Sequence, residues 1–167
     1  TWSINDPRLA PWDTLTEQWN HDIPLRNYFA RRQALVEIDV VAAMALGLTL
    51  DELIMMYKIQ FPVLQQNEND TWYDTEGKIV FTCSKGLTGV GLDRPAWNAM
   101  RGEEITNENG VVMGYKGIEP TYIHIIDPAR SELYGGQKQT FVAPYTKCDR
   151  IDDYRTAWAH FEKIFNK

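Results

Sequence analysis

Asp74, Glu76 and Lys78 stand at alternate positions. A carboxylate pair followed by lysine mimics the tail of a metal-dependent nuclease signature, in which the acids hold a divalent cation and the lysine supports the attacking water. With Thr75 and Gly77 between them, the same residues are also what a tight turn between two strands requires. Alternate strand residues share a face, but the acidic partner that a nuclease needs on a preceding core strand is missing, so the turn reading leads. Lys85 with Gly86, Gly89 and Gly91 offers bare amides and a cation suited to an anion. The spacing fits neither the P-loop nor the dinucleotide fingerprint, so a connecting loop is the expectation. Glu37 and Asp39 are two apart on a helix, about 200° of rotation. They are therefore expected on opposite sides, one facing solvent and one pairing with an arginine. His21, His124 and His160 are isolated, with no serine or cysteine in a nucleophile motif beside them. Cys83 and Cys148 lie outside any Cys-x-x-Cys spacing and read as small packed thiols in a reducing compartment.

Arg26, Arg31 and Arg32 form the dense basic cluster of the chain. Next to Tyr28 and Phe29 they could meet a phosphate backbone or an acidic protein surface, against a plainer reading as a solvated helix face with one internal ion pair. Lys85 and Arg94, in and beside the Gly-rich loop, complete the candidate DNA-binding set. Double-stranded DNA would meet only a local patch, because 17 Lys and Arg against 23 Asp and Glu leave a net charge of -6.

The elements that must position these residues read as follows. Residues 1 to 23 carry Trp2, Pro7, Pro11, Trp12 and Trp19 among polar residues and are expected to form an irregular lead-in. Residues 24 to 167 then make a single α+β domain. Pro24 to Leu46 reads as a long helix, with Tyr28, Arg32, Leu35, Ile38, Ala42 and Ala45 at three- and four-residue spacing and Gly47 as its stop. Thr49-x-x-Glu52 is a capping box, followed by Leu50, Leu53, Ile54 and Tyr57 on one face of a second helix that Pro62 ends or bends. The two make a helical hairpin. Its second helix opens on acids and continues with Ile54, Met55 and Met56, poor material for reading a major groove.

After the polar run Gln65 to Asp70 the period changes. Thr71 to Tyr73 and Lys78 to Thr82 read as a β-hairpin, and Asn107 to Gly110 as a second turn before Val111 to Met113. A short helical stretch lies around Trp97 to Arg101, and Tyr122 to Ile126 is an apolar strand. Thr140 to Tyr145 is expected at a sheet edge, since Pro144 cannot donate to a ladder. The final helix, capped by Asp149, carries a stripe of Tyr154, Trp158, Phe161 and Phe165. The fold class expected is thus α+β: an N-terminal helical hairpin, a small central antiparallel sheet with long loops, and a C-terminal amphipathic helix.

With 44% hydrophobic, 12% aromatic and 24% charged residues among 167, the composition is that of a folded globular chain. No apolar run reaches the roughly 20 residues of a membrane helix, and no signal segment opens the chain. A cytoplasmic setting without membrane contact is expected. Opening at Thr1-Trp2-Ser3, the sequence reads as a piece of a longer protein.

Several strings resemble the C-terminal part of large actinobacterial restriction-modification methylase proteins. They are Ile23 through Asp39, Leu46 through Leu53, Gln60 through Leu64, Thr71-Trp72-Tyr73-Asp74, Gly89-Val90-Gly91-Leu92, Ala143 through Arg150, and Asp153 through Trp158. The resemblance runs from about residue 23 to the end. It implies an upstream adenine-N6 methyltransferase region in the same polypeptide as partner, S-adenosylmethionine as that protein's cofactor, and a place in bacterial restriction or phage defence. This region itself has neither the Gly-rich cofactor loop nor the Asn/Asp-Pro-Pro-Tyr/Phe tetrapeptide that sets the target amine, so no catalytic residue carries over and no cofactor is expected here. The role left to it is DNA or target recognition, or scaffolding; the alternative is a protein-interaction module without DNA contact. A basic face would favour the first and an exposed apolar patch the second. Purified alone, the chain is expected neither to bind S-adenosylmethionine nor to transfer its methyl group; micromolar binding in a calorimetric titration would overturn this.

Overall fold

A computed structural model describes residues 17–19, 21, 23–83 and 90–165. Trp2, Pro7, Pro11 and Trp12 of the lead-in, and Lys85, Gly86 and Gly89, lie outside the described residues. The chain is α+β as expected, and it gathers into two compact units, one formed before Gln66 and after Cys148, the other by Gln66–Cys148.

The first unit is helical. Helix α1 spans Tyr28–Ala45 and starts four residues later than Pro24, because the Asn27 side chain accepts the Ala30 N–H at 2.6 Å and so caps the first turn. It ends on Leu46, and Gly47 follows at φ 73, the left-handed position that glycine fills without strain. Helix α2, Leu50–Gln60, opens on the expected capping box: Glu52 Oε2 accepts the Thr49 N–H at 2.7 Å while Thr49 Oγ1 accepts the Glu52 N–H at 3.3 Å. The Thr49 N–H holds the Glu52 carboxyl below its usual range. Pro62 does end α2, but it also begins the short helix α3, Pro62–Asn69, where a missing N–H is harmless. The polar run Gln65 to Asp70 is therefore helical as far as Asn69, and the period changes after it, as expected. Helix α5, Arg150–Phe165, starts at Asp149, whose Oδ1 accepts the N–H groups of Ile151 at 2.9 Å and Asp152 at 3.2 Å.

The core of this unit joins Val36, Val40 and Ala43 of α1 to Leu53, Ile54 and Tyr57 of α2 and to Tyr154 and Ala157 of α5. The aromatic stripe of α5 is only half realised. Tyr154 is buried, Trp158 and Phe161 are half-buried, and Phe165 is 57% exposed, so the helix docks by its first half. Burial pushes the Tyr154 hydroxyl up to about 12.

The second unit holds a five-stranded antiparallel sheet in the order β2-β1-β7-β4-β3 and a separate ribbon of β5 and β6. Strands β1 (Trp72–Tyr73) and β2 (Ile79–Phe81) form the expected hairpin. The turn at Asn107 to Gly110 joins β3 (Glu104–Thr106) to β4 (Val112–Tyr115), with Asn107 Oδ1 accepting from Asn109 N at 3.0 Å and Val111 N at 2.9 Å. The ribbon pairs β5 (Thr121–Ile125) with β6 (Lys138–Val142). The strand expected at an edge over Thr140 to Tyr145 divides in two. Its second part, β7 (Tyr145–Thr146), lies between β1 and β4 at the middle of the sheet. The ladder begins one residue past Pro144, so proline is not asked to donate.

Helix α4, Arg94–Met100, lays Trp97 at the centre of this unit. Trp97 is 2% exposed and meets the rings of Trp72, Phe81, Tyr115 and Tyr145 at centroid distances between 5.4 and 5.9 Å. Gly91 is obligatory on the approach to α4. Its φ is +71, and a Cβ there would stand 2.7 Å from the Val80 carbonyl oxygen.

Asp74 is the polar counterpart of Trp97. It is fully buried; Oδ1 accepts the N–H groups of Glu76 at 3.0 Å and Lys78 at 2.8 Å, and Oδ2 accepts that of Val142 at 3.2 Å. The carboxylate thus closes the first hairpin and ties it to the end of β6. Replacing it by alanine strands three donors, at about 1–3 kcal/mol for each that water cannot reach. Asp74→Ala is expected to lower the melting temperature sharply, whereas Glu76→Ala, which removes only an exposed ion pair with Lys78, leaves it nearly unchanged. Equal melting temperatures for the two variants would contradict this role.

Candidate functional site

The polar residues of α1 decide which way the helix faces. Arg32 is buried and its Nη1 donates to Asp153 Oδ2 of α5 at 2.5 Å. Seven residues on, and so on the same side, Asp39 Oδ2 accepts from Arg150 Nη1 at 3.0 Å and from the Tyr154 hydroxyl at 2.8 Å. These contacts hold one flank of α1 against α5. Gln33 and Glu37 are buried as well, as are Ala30, Ala34, Val36 and Val40. The carboxylate pair therefore divides differently from the expectation: Asp39 is the partner of an arginine, but Glu37 is buried rather than turned to solvent.

With the polar flank inward, an apolar row turns outward. The exposed residues of α1, all of whose positions are described, are Tyr28, Arg31, Leu35, Ile38, Ala42 and Ala45. Their spacing is three, four, three, four, three, which is the a and d pattern of a coiled-coil seam. Leu35 is 58% exposed and Ile38 60% exposed. From Leu35 to Leu46 the outward row carries no charge. Single exposed leucines need no explanation, but this row sets Leu35 and Ile38 with Tyr28, Arg31 and two alanines at the spacing of a helix-packing seam. The same unit also exposes Met55, Met56, Ile59, Phe61 and Val63 along α2 and the start of α3.

The candidate DNA-binding residues that the structure describes each have a partner within their own unit. Arg26 donates from Nη2 to the His21 carbonyl at 2.6 Å, and Arg31 from Nε to the Leu25 carbonyl at 2.8 Å, so both brace the segment leading into α1. Arg32, about 100° round the helix from Arg31, turns into its pair with Asp153. Arg94, in the second unit, bridges to Asp70 at 3.0 Å and lies over the Phe81 ring at 4.8 Å. Lys85 is outside the described residues.

The other chemically suggestive groups have structural partners. Lys78 Nζ reaches Glu76 at 2.5 Å and the Thr140 carbonyl at 2.9 Å. Asp93 Oδ1 accepts the Ala96 N–H at 3.0 Å and Oδ2 meets Arg130 at 2.9 Å, which together hold its carboxyl below the usual range. His124 is half-buried on β5, opposite Gln139. Cys83 and Cys148 are both half-buried, and Cys83 Sγ donates to Asn67 Oδ1 at 2.9 Å. Among the described residues no group of three or more His, Cys, Asp or Glu is placed to share a metal ion, and no helix is long and apolar enough to cross a membrane.

Because Leu35 and Ile38 face solvent, charge placed at these positions does not harm the fold. At low micromolar concentration, Leu35→Asp with Ile38→Asp is expected to melt within a few degrees of the parent, because exposed substitutions cost about 0.5 kcal/mol or less each. Val36→Asp, one position away and fully buried, is expected to abolish the cooperative transition. Comparable losses in thermal unfolding followed by circular dichroism would contradict the assignment of faces. No family model, curated protein or solved structure matches the chain.

Proposed function

We propose that this chain is a non-catalytic docking module that holds another protein segment through the outward row of α1, the scaffolding role in a bacterial restriction-modification methylase. The observation that carries the reading is the uncharged heptad face of Leu35, Ile38, Ala42 and Ala45, left in water while Arg32, Gln33 and Glu37 of the same helix are buried. An apolar row of this kind gains free energy by burial against a second apolar helix, about 25 cal/mol for each Å² removed from water. The resemblance of residues 23 to 167 to the C-terminal part of large methylase proteins supplies the setting. In that setting S-adenosylmethionine belongs to the upstream catalytic region.

Docking is favoured over DNA recognition by where the arginines lie. A duplex is held chiefly by phosphate neutralisation, and a chain of net charge -6 needs its basic groups gathered on one surface. Arg26 and Arg31 brace the approach to α1, Arg32 is buried against Asp153, and Arg94 is bridged to Asp70.

The test uses two fluorescent probes, a short DNA duplex and a helical peptide with leucine at the a and d positions of about three heptads. Anisotropy is expected to rise with the peptide, to stay flat with Leu35→Asp, Ile38→Asp protein, and to change little with the duplex at low salt. Equal peptide binding by parent and variant, or duplex binding tighter than peptide binding, would overturn the reading.

A further inference from the structure

The outward row of α1 has an internal symmetry. In an antiparallel pair of helices, a positions lie over d positions, and the sequence numbers of facing residues sum to a constant. For α1 against itself the layers are Tyr28 over Ala45, Arg31 over Ala42, and Leu35 over Ile38, each summing to 73. We propose that the helix received by this face is the α1 of a second copy of the chain, laid antiparallel about a twofold axis; the proposal rests on the docking reading above and names its partner.

Size and charge both select this arrangement. Antiparallel pairing sets the large side chains Tyr28 and Arg31 over the small Ala45 and Ala42 and keeps the two branched aliphatics together at the centre, so every layer has similar bulk. Parallel pairing stacks Tyr28 on Tyr28 and alanine on alanine, which splays one end and leaves gaps at the other. It also sets Arg31 against Arg31, a repulsion with no acid in the row to relieve it. In the antiparallel pair Arg31 arrives instead at the last turn of the other helix, whose negative dipole end carries no basic residue of its own. The isologous geometry closes on itself, so assembly stops at two copies.

The seam is short. A helix of 18 residues is about 27 Å long, and one such contact falls below the roughly 800 Å² per partner of a standard interface. The dimer is therefore expected to dissociate on dilution.

Sedimentation equilibrium over a wide concentration range tests it. The parent is expected to move from the mass of one chain toward that of two as concentration rises, while Leu35→Asp, Ile38→Asp stays at one. Orientation is read by disulfide trapping in a Cys83→Ser, Cys148→Ser background. Chains carrying Tyr28→Cys and Ala45→Cys together are expected to oxidise to covalent dimers, and chains carrying Tyr28→Cys alone are not. The two cysteines of one helix are about 26 Å apart along its axis and cannot join each other. A parent that sediments as one chain throughout overturns the proposal, as does efficient dimer trapping by Tyr28→Cys alone. If the parent stays monomeric yet the heptad probe peptide still binds, the self-pairing fails while docking stands; loss of both removes the docking reading too.

Discussion

The rotation of α1 about its own axis is the constraint from which the account follows, and it is set by two polar contacts with α5. Arg32 meets Asp153, and Asp39 meets Arg150 and Tyr154, seven residues apart on one flank of the helix. Removing one member of a buried ion pair such as Arg32–Asp153 costs about 3–5 kcal/mol, and rolling the helix would also give up the partly exposed Arg150–Asp39 pair and the packing of Val36, Val40 and Ala43, against about 1.5–3 kcal/mol returned by each of Leu35 and Ile38. A rolled helix that hides its larger apolar residues would leave Arg32 and Arg150 without their acids. The polar flank therefore wins the inside, and Leu35 and Ile38 stay in water.

The buried side of α1 mixes small apolar residues with the polar Arg32, Gln33 and Glu37. Val36, Val40 and Ala43 pack with Tyr57 and Tyr154, and Ala30 and Ala34 are buried as well. The second unit is built on a different economy of contacts, an aromatic cluster around Trp97 and a buried carboxylate, Asp74, that gathers three backbone donors. In both units the buried charges act as fasteners between elements.

Much of this was legible in the residues. The capping box at Thr49 and Glu52, the hairpin around Asp74 to Gly77 and the turn at Asn107 to Gly110 follow from local chemistry, in which side chains bond their own backbone within a few residues. The α+β class followed from the change of period near residue 70. What local chemistry could not supply was the choice between two faces of α1. Tyr28, Leu35, Ile38, Ala42 and Ala45 have the spacing of a packing face, but so do Ala30, Val36, Val40 and Ala43, and the choice lies with Asp153 and Arg150 more than a hundred residues away. The central position of β7 was hidden for a similar reason. Pro144 suggested an edge, yet pairing starts only at Tyr145, where β1 and β4 are both in reach.

Accessibility of single cysteines along α1 probes this rotation most directly. In a background without Cys83 and Cys148, and at a concentration low enough to keep the chain monomeric, Leu35→Cys and Ile38→Cys are predicted to react with a soluble thiol reagent at the rate of an open thiol. Val36→Cys and Val40→Cys are predicted to react only as the protein unfolds. Protection of positions 35 and 38 together with rapid labelling of 36 and 40 would mean that α1 faces the other way, and the docking row would not exist.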